Sequence, residues 1–162
     1  MIQLLKSNKR VLIVSLLVSV LGNTAPGVAE VIKFHYPSGK LWAESTLKDG
    51  KLDGLRRKYY ENGNLIGEEN LKNGKREGIT RAYYKSGKLM AELNFKNGKR
   101  ESISKAYCES GKLMGELNYK NGKQEGISKE YYENGKIRYI DNFKNGQKIK
   151  REAYDLSGKL EH

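Results

Sequence analysis

The sequence predicts an all-β fold, an antiparallel β-meander of about five 24-residue hairpin repeats behind a short targeting segment. Three observations predict it. A glycine following Asn, Asp or Ser recurs at Gly39, Gly50, Gly63, Gly74, Gly87, Gly98, Gly111, Gly122, Gly135, Gly146 and Gly158. The intervals alternate 11 and 13 residues and close with a 12. After each odd-numbered turn the chain alternates apolar and polar residues with period two, as a strand with unlike faces must, and the segments between turns are too short for an ordinary helix. A 37% hydrophobic share with 31% charged residues suits such an array better than a deep globular core.

The chain opens on Lys6, Lys9 and Arg10, followed by the apolar run from Val11 to Leu21. As a helix that run spans roughly 16 Å, against the ~30 Å hydrocarbon core of a bilayer, so a secretory signal peptide fits better than a spanning anchor. Residues 1–29 are assigned to the signal peptide and 30–162 to the repeat array. The small-residue segment Gly27-Val28-Ala29 places cleavage after Ala29, and Pro26 argues against a cut after Ala25. No cysteine lies near this site for lipid attachment. The expected location is the periplasm or outside the cell.

The turns come next. Six of the dipeptides are Asn-Gly, one is Asp49-Gly50 and four are Ser-Gly. Asn-Gly and Asp-Gly suit type I′ turns, whose two central residues need φ > 0 and which join antiparallel strands, and Ser-Gly is a weaker signal of the same kind. Eleven turns imply about twelve strands. In the strand that follows Gly87, Leu89, Ala91, Leu93 and Phe95 share one face, and Met90, Glu92, Asn94 and Lys96 share the other. Across repeats, Leu41, Leu65, Leu89, Leu113 and Ile137 form one apolar ladder, and Leu47, Leu71, Phe95, Tyr119 and Phe143 form a second. The alternate strands are expected to add Leu55, Ile79, Ile103 and Ile127 to this apolar set. They then bring the pairs Tyr59-Tyr60, Tyr83-Tyr84 and Tyr131-Tyr132, with Cys108 replacing the second tyrosine beside Tyr107. A further glycine, at Gly54, Gly78 and Gly126, marks a bulge or a close backbone approach, and Ser102 and Lys150 each take its place once. One repeat cannot bury its own face, so stability comes from contacts between neighbours.

Segments such as Tyr131-Tyr132-Glu133-Asn134-Gly135-Lys136 and Phe95-Lys96-Asn97-Gly98-Lys99-Arg100-Glu101 resemble MORN repeats, specifically the bacterial variant class found in YwqK-type antitoxin proteins. The resemblance covers about residues 31–158. It implies an elongated, twisted antiparallel sheet with a shallow groove that binds proteins or, in some relatives, associates with membranes.

Few residues offer chemistry. Cys108 alone excludes an intramolecular disulfide and any multi-cysteine zinc site, and His35 and His162 have no Cys or His partner at ligand spacing, so no metal or cofactor is expected. The glycines open no helix, as a phosphate-binding loop requires. Glu44, Glu68, Glu92 and Glu116 form a carboxylate row with roughly 10 Å between members, near the separation of glycosidase acids. A row repeated opposite basic neighbours is a surface ladder, so no catalytic residue is assigned and the chain reads as a non-enzyme.

Two binding stripes remain. Trp42, Ile66, Met90 and Met114 share the polar face with the glutamates and form the candidate partner-binding stripe. Lys48, Lys72, Lys96, Lys120 and Lys144 precede the Asn/Asp-Gly turns, with Lys51, Lys75, Lys99 and Lys123 after them, forming a candidate stripe for anionic ligands. The leading expectation is an exported protein that binds another protein through an extended β face, in the specific form of an antitoxin or immunity protein. The alternative is a peripheral protein that binds anionic phospholipid through the lysine rows. Export leaves nucleic acid the least favoured partner.

Overall fold

The computed structural model describes residues 28–161. The signal-peptide reading therefore lies outside the described residues except for Val28 and Ala29, and so does His162. The strands are β1 (Ala29–His35), β2 (Leu41–Lys48), β3 (Lys51–Tyr59), β4 (Leu65–Lys72), β5 (Lys75–Arg76), β6 (Gly78–Tyr83) and β7 (Leu89–Lys96). They continue with β8 (Lys99–Arg100), β9 (Ser102–Tyr107), β10 (Leu113–Lys120), β11 (Lys123–Gln124), β12 (Gly126–Tyr131), β13 (Ile137–Lys144) and β14 (Gln147–Ala153). All fourteen lie in one open antiparallel sheet in sequential order. Short β5, β8 and β11 are the first residues of arms that a bulge divides from β6, β9 and β12, which leaves eleven hairpin arms. The twelfth arm is a stub, the isolated bridge of Tyr154 with Leu160.

The turns are of two kinds, which corrects the expectation of one. Asp49, Asn73, Asn97, Asn121 and Asn145 have φ between 50° and 53°, and the glycine after each also has positive φ. These are two-residue type I′ loops between facing residues such as Lys72 and Lys75. Asn62 and Asn134 stay out of the left-handed region although each precedes a glycine. There the Gly63 amide donates to the Tyr60 carbonyl (2.9 Å) and the Tyr60 amide to the Asn64 carbonyl (2.8 Å). The Ser-Gly turns at Gly39, Gly87, Gly111 and Gly158 share this wiring. It is a three-residue loop with only its glycine left-handed. Loop length, set by what flanks the dipeptide, decides which kind of turn an Asn-Gly makes.

The recurrent glycine is a bulge. Lys72 faces Lys75 and Leu71 faces Arg76, yet Glu68 faces Arg81, so the β5–β6 arm holds two more residues than its partner. An offset of two leaves both faces in phase. Gly54, Gly78 and Gly126 take positive φ at this point, and Ser102 is forced to +56°. In β14 the register slips by one, from Phe143–Lys148 to Asn142–Lys150. That accounts for the closing 12-residue interval, and Lys150 needs no left-handed backbone.

One face of the sheet is a core face. Ala43, Leu71, Phe95 and Phe143 are buried on it, together with Ser45, Glu69, Ser104, Ser128 and Asp141. Among the described residues there is no second layer, and the basic arms cover this face. The Arg76 and Arg100 guanidiniums lie 5.0 Å from the ring centres of Phe95 and Tyr119, and the Lys148 ammonium 5.8 Å from that of Phe143. Glu69 is held between Arg56 and Arg76. Arg151 makes a two-pronged bond to Asp141 (2.7 Å each), joined by Lys148 at 3.0 Å. Burial works against the Glu69 carboxylate, and the two arginines outweigh it and hold its pKa low. For Asp141 the Arg151 bonds dominate over opposing burial, with the same result.

Successive repeats are tied at both margins. The amides of Asn73, Asn97, Asn121 and Asn145 donate to the carboxylates of Asp53, Glu77, Glu101 and Glu125, at 2.7–2.9 Å. The glycine amides of the same turns donate to the carbonyls of Leu52, Arg76, Arg100 and Gln124. At the other margin the second tyrosine of each pair reaches forward: Tyr36 to the Tyr59 carbonyl, Tyr60 to Tyr83, Tyr84 to Tyr107 and Tyr132 to Tyr154. Cys108 interrupts this row. His35 pairs with Leu41 as Tyr59 does with Leu65, so β1 is the second half of a repeat, as its register predicts.

The arm that contains β9 and the turn after it thus hold two weak points, Ser102 and Cys108. Ser102→Gly relieves a left-handed serine and raises unfolding free energy by about 1 kcal/mol. Cys108→Tyr restores the missing hydroxyl bond and adds about 1 kcal/mol, while Tyr84→Phe removes one and lowers stability by a similar amount. Urea unfolding of the three variants checks all three signs. Because the Glu69 and Asp141 pKa values are depressed in the folded chain, their contribution is full above the unfolded carboxyl values, near 4, and is lost as pH falls through the folded ones. Asp141→Asn is therefore less stable than the parent at pH 7, and the two converge as pH falls through the depressed Asp141 pKa of the folded chain. Thermal unfolding across pH reads this directly.

Candidate functional site

The face opposite the core is built from transverse rows, one residue from each arm. The central row runs Lys33, Glu44, Arg57, Glu68, Arg81, Glu92, Lys105, Glu116, Lys129, with each residue directly opposite the next. Charge alternates at every step and stops at Ile140. Arg57 lies 3.4 Å from Glu44 and 3.6 Å from Glu68, and Arg81 lies 3.5 Å from Glu68 and 3.0 Å from Glu92. On an exposed surface each such pair is individually weak, and the row acts through its alternation of charge. The glutamate row expected from sequence is therefore present and neutralised along its length.

Tyrosine hydroxyls complete it. Tyr59 donates to Glu44 (2.7 Å), Tyr83 to Glu68 (3.2 Å) and Tyr131 to Glu116 (3.0 Å). The Tyr59 bond, reinforced by Arg57 against mild burial, holds the Glu44 carboxyl below its usual range. Burial first, and the carboxylate beside it second, push the Tyr59 phenol up. A carboxylate kept charged and a phenol kept neutral make a fixed structural pair, with no proton poised for transfer near neutral pH.

On the margin side of this ladder lies a row of alternating aliphatic and amide residues: Leu55, Asn70, Ile79, Asn94, Ile103, Asn118, Ile127, Asn142. Ile79, Ile103 and Ile127 are 45%, 47% and 49% exposed, which corrects their expected place in the apolar core. The reason is parity. Each stands two residues before Arg81, Lys105 or Lys129 on one strand and so shares the charged face. That spacing was present in the sequence and would have identified them.

The candidate partner stripe divides. Met90 and Met114 are 37% and 46% exposed on this face, whereas Ile66 and Trp42 are half-buried. Trp42 is engaged by the strands on either side of it, edge-on to Phe34 (6.2 Å) with the Lys58 ammonium 5.8 Å from its ring centre. The lysine stripe is a comb along the margin of the same face. Lys48 faces Lys51, Lys72 faces Lys75, Lys96 faces Lys99 and Lys120 faces Lys123, while Lys144 faces Gln147. All nine lysines are exposed. The ion pairs of the described residues join other groups. The acids Asp53, Glu77, Glu101 and Glu125 that cap the neighbouring turn amides were missed from sequence. Their signal was the carboxylate one residue before the recurrent glycine or its serine substitute.

Among the described residues no three His, Cys, Asp or Glu side chains gather where a metal could be held. The face offers instead two shallow depressions in equivalent positions two repeats apart. One, of about 290 Å³, includes Leu55, Asn70 and Ile79; the other, of about 220 Å³, includes Ile103, Asn118 and Ile127. Both are open to solvent; the aliphatic and asparagine side chains line one part, and residues of the charge ladder line the rest, Arg57, Glu68 and Arg81 in the first and Glu116 and Lys129 in the second. Removing the phenol bond in Tyr59→Phe is expected to raise the Glu44 pKa toward the ordinary carboxyl value without unfolding the chain, read by carboxyl NMR titration.

A search of curated proteins finds no match to the chain. A comparison with protein families matches the MORN repeat variant five times, at residues 31–49, 52–73, 76–97, 100–121 and 124–145. The matched segments follow the hairpin period of the sheet and together cover most of the chain. Repeats of this kind commonly mediate binding to proteins or membrane lipids and are not catalytic units. The chain belongs to the MORN repeat variant family.

Proposed function

We propose that the protein is an exported, non-enzymatic binding protein, acting in the periplasm or outside the cell, that holds another protein against its open face. Toxin neutralisation, as by an antitoxin or immunity protein, is the specific form proposed. The observation that carries the reading is the exposed apolar set Ile79, Met90, Ile103, Met114 and Ile127, placed on either side of a self-neutralised charge ladder. Exposed apolar side chains in ordered rows on an otherwise charged face favour a protein partner, because burying them releases water while the paired charges need no rearrangement. The lysine comb supports a second reading, attachment to anionic phospholipid, through nine exposed cations on one margin.

The two readings separate by salt and by mutation. Tagged mature protein is used to capture partners from its native envelope fraction, with low- and high-salt washes. A stoichiometric protein retained at high salt is expected. Met90→Asp with Met114→Asp should weaken that partner at least tenfold while leaving thermal unfolding unchanged. Recovery of anionic lipid alone, lost at high salt, would sink the protein-binding reading.

A further inference from the structure

We propose that the open face takes an acidic polypeptide segment in the polyproline II conformation, running across the strands along the row of alternating isoleucines and asparagines. This rests on the reading that the open face binds a protein, and it specifies the shape and chemistry of what lies there.

Spacing comes first. Ile79, Ile103 and Ile127 stand on β6, β9 and β12, two arms apart in the sheet. Neighbouring strands are separated by about 4.7–4.9 Å, so these ridges repeat about every 9.5 Å. A polyproline II chain repeats every three residues at about 3.1 Å each, close to 9.3 Å. Over the three valleys between Leu55 and Ile127 the accumulated mismatch is below about 1 Å. A β-strand repeats its side-chain direction about every 6.7 Å and drifts out of step within one valley. A helix returns to a similar face only after about 10.5 Å, seven residues, and drifts by roughly 3 Å over the same distance.

Chemistry agrees. A polyproline II chain makes no internal hydrogen bonds, so its backbone groups need partners. Asn70, Asn94 and Asn118 sit one in each valley, opposite or beside the isoleucines, and a side-chain amide carries two donor hydrogens and an acceptor; the Asn94 amide already donates to the Ile103 carbonyl (2.6 Å), which leaves it one hydrogen and its oxygen. The two depressions that include Asn70 and Asn118 are large enough for one aliphatic side chain each. The asparagine–isoleucine row is bounded on its margin side by the nine-lysine comb. On the other side the charge ladder is already neutralised by its own pairs. Net attraction is therefore one-sided, and carboxylates on the segment would face the lysines.

Twelve-residue fluorescent peptides test this. The matched peptide is four Pro-Leu-Glu triplets; a second has the same composition with its leucines off the three-residue spacing, and a third is four Pro-Leu-Lys triplets. Fluorescence anisotropy at low salt is expected to show the matched peptide binding at least tenfold tighter than either control. Trimming it one triplet at a time should lower affinity in steps. Ile103→Asp should reduce binding at least tenfold with unchanged thermal unfolding, since Ile103 is half exposed and outside the core. Equal binding of matched and shuffled peptides, or indifference to Ile103→Asp, overturns the proposal. Absence of peptide binding while a captured protein still binds the open face also overturns it and leaves the protein-binding function standing. Failure of capture itself removes the reading beneath it.

Discussion

The type I′ Asn-Gly turns at Asn73, Asn97, Asn121 and Asn145 are each held by the repeat that precedes them, and the array depends on that link. The asparagine amide bonds a carboxylate 20 residues back, and the glycine amide bonds a carbonyl of the same earlier hairpin. A two-residue type I′ turn leaves these amides pointing outward with no strand to pair with, so a buried or crowded turn would otherwise carry unsatisfied donors. The bulge that interrupts β5–β6, β8–β9 and β11–β12 brings the acid and the accepting carbonyl to the right place. Turn, bulge and acid therefore work as a unit, and the tyrosine hydroxyls do the equivalent task along the opposite margin. A sheet pinned at both margins holds its arms in register without a second layer among the described residues.

A single layer has no partner sheet to cover its apolar side. The core face responds by keeping its centre small, with Ala43, Ser45, Ser104 and Ser128 buried there, and by laying basic side chains over its aromatic residues. Glu69 and Asp141 neutralise those bases where they approach the middle of the sheet. The Ser104 hydroxyl, nearly inaccessible, has no hydrogen-bond partner and is one place where this economy leaves a polar group unsatisfied. With its bulk committed to one face, the sheet is free to display ordered rows on the other. The open face thus combines a neutral charge ladder, aliphatic ridges and a cationic margin, each running across the strands along the array.

Most of the architecture was readable from residue spacing. The glycine intervals reveal the hairpins, and period two separates Leu89, Ala91, Leu93 and Phe95 from Met90, Glu92, Asn94 and Lys96, as the sheet has them. The misreadings have physical causes. Asn62-Gly63 and Asn73-Gly74 are the same dipeptide, while the first loop is one residue longer and needs only the glycine to be left-handed. Hydrophobicity groups the isoleucines with the apolar ladders, whereas parity with Arg81, Lys105 and Lys129 places them on the open face. Trp42 looked like an exposed anchor, and only the packing of Phe34 and Lys58 around it shows otherwise.

By itself the sequence determined the repeat, the order of the arms and the side of the sheet to which each strand residue points. Those follow from local rules: which residues accept positive φ, and the alternation of side chains along an extended backbone. Tertiary structure decided which residues meet across the sheet. The pairing of Glu44, Arg57, Glu68 and Arg81 into one ladder, the reach of Glu77 to the Asn97 amide and the two-residue bulge offset all depend on register between arms. Register is a sum over two turns and a bulge, so a chain read one segment at a time leaves it open, and only the assembled sheet closes it.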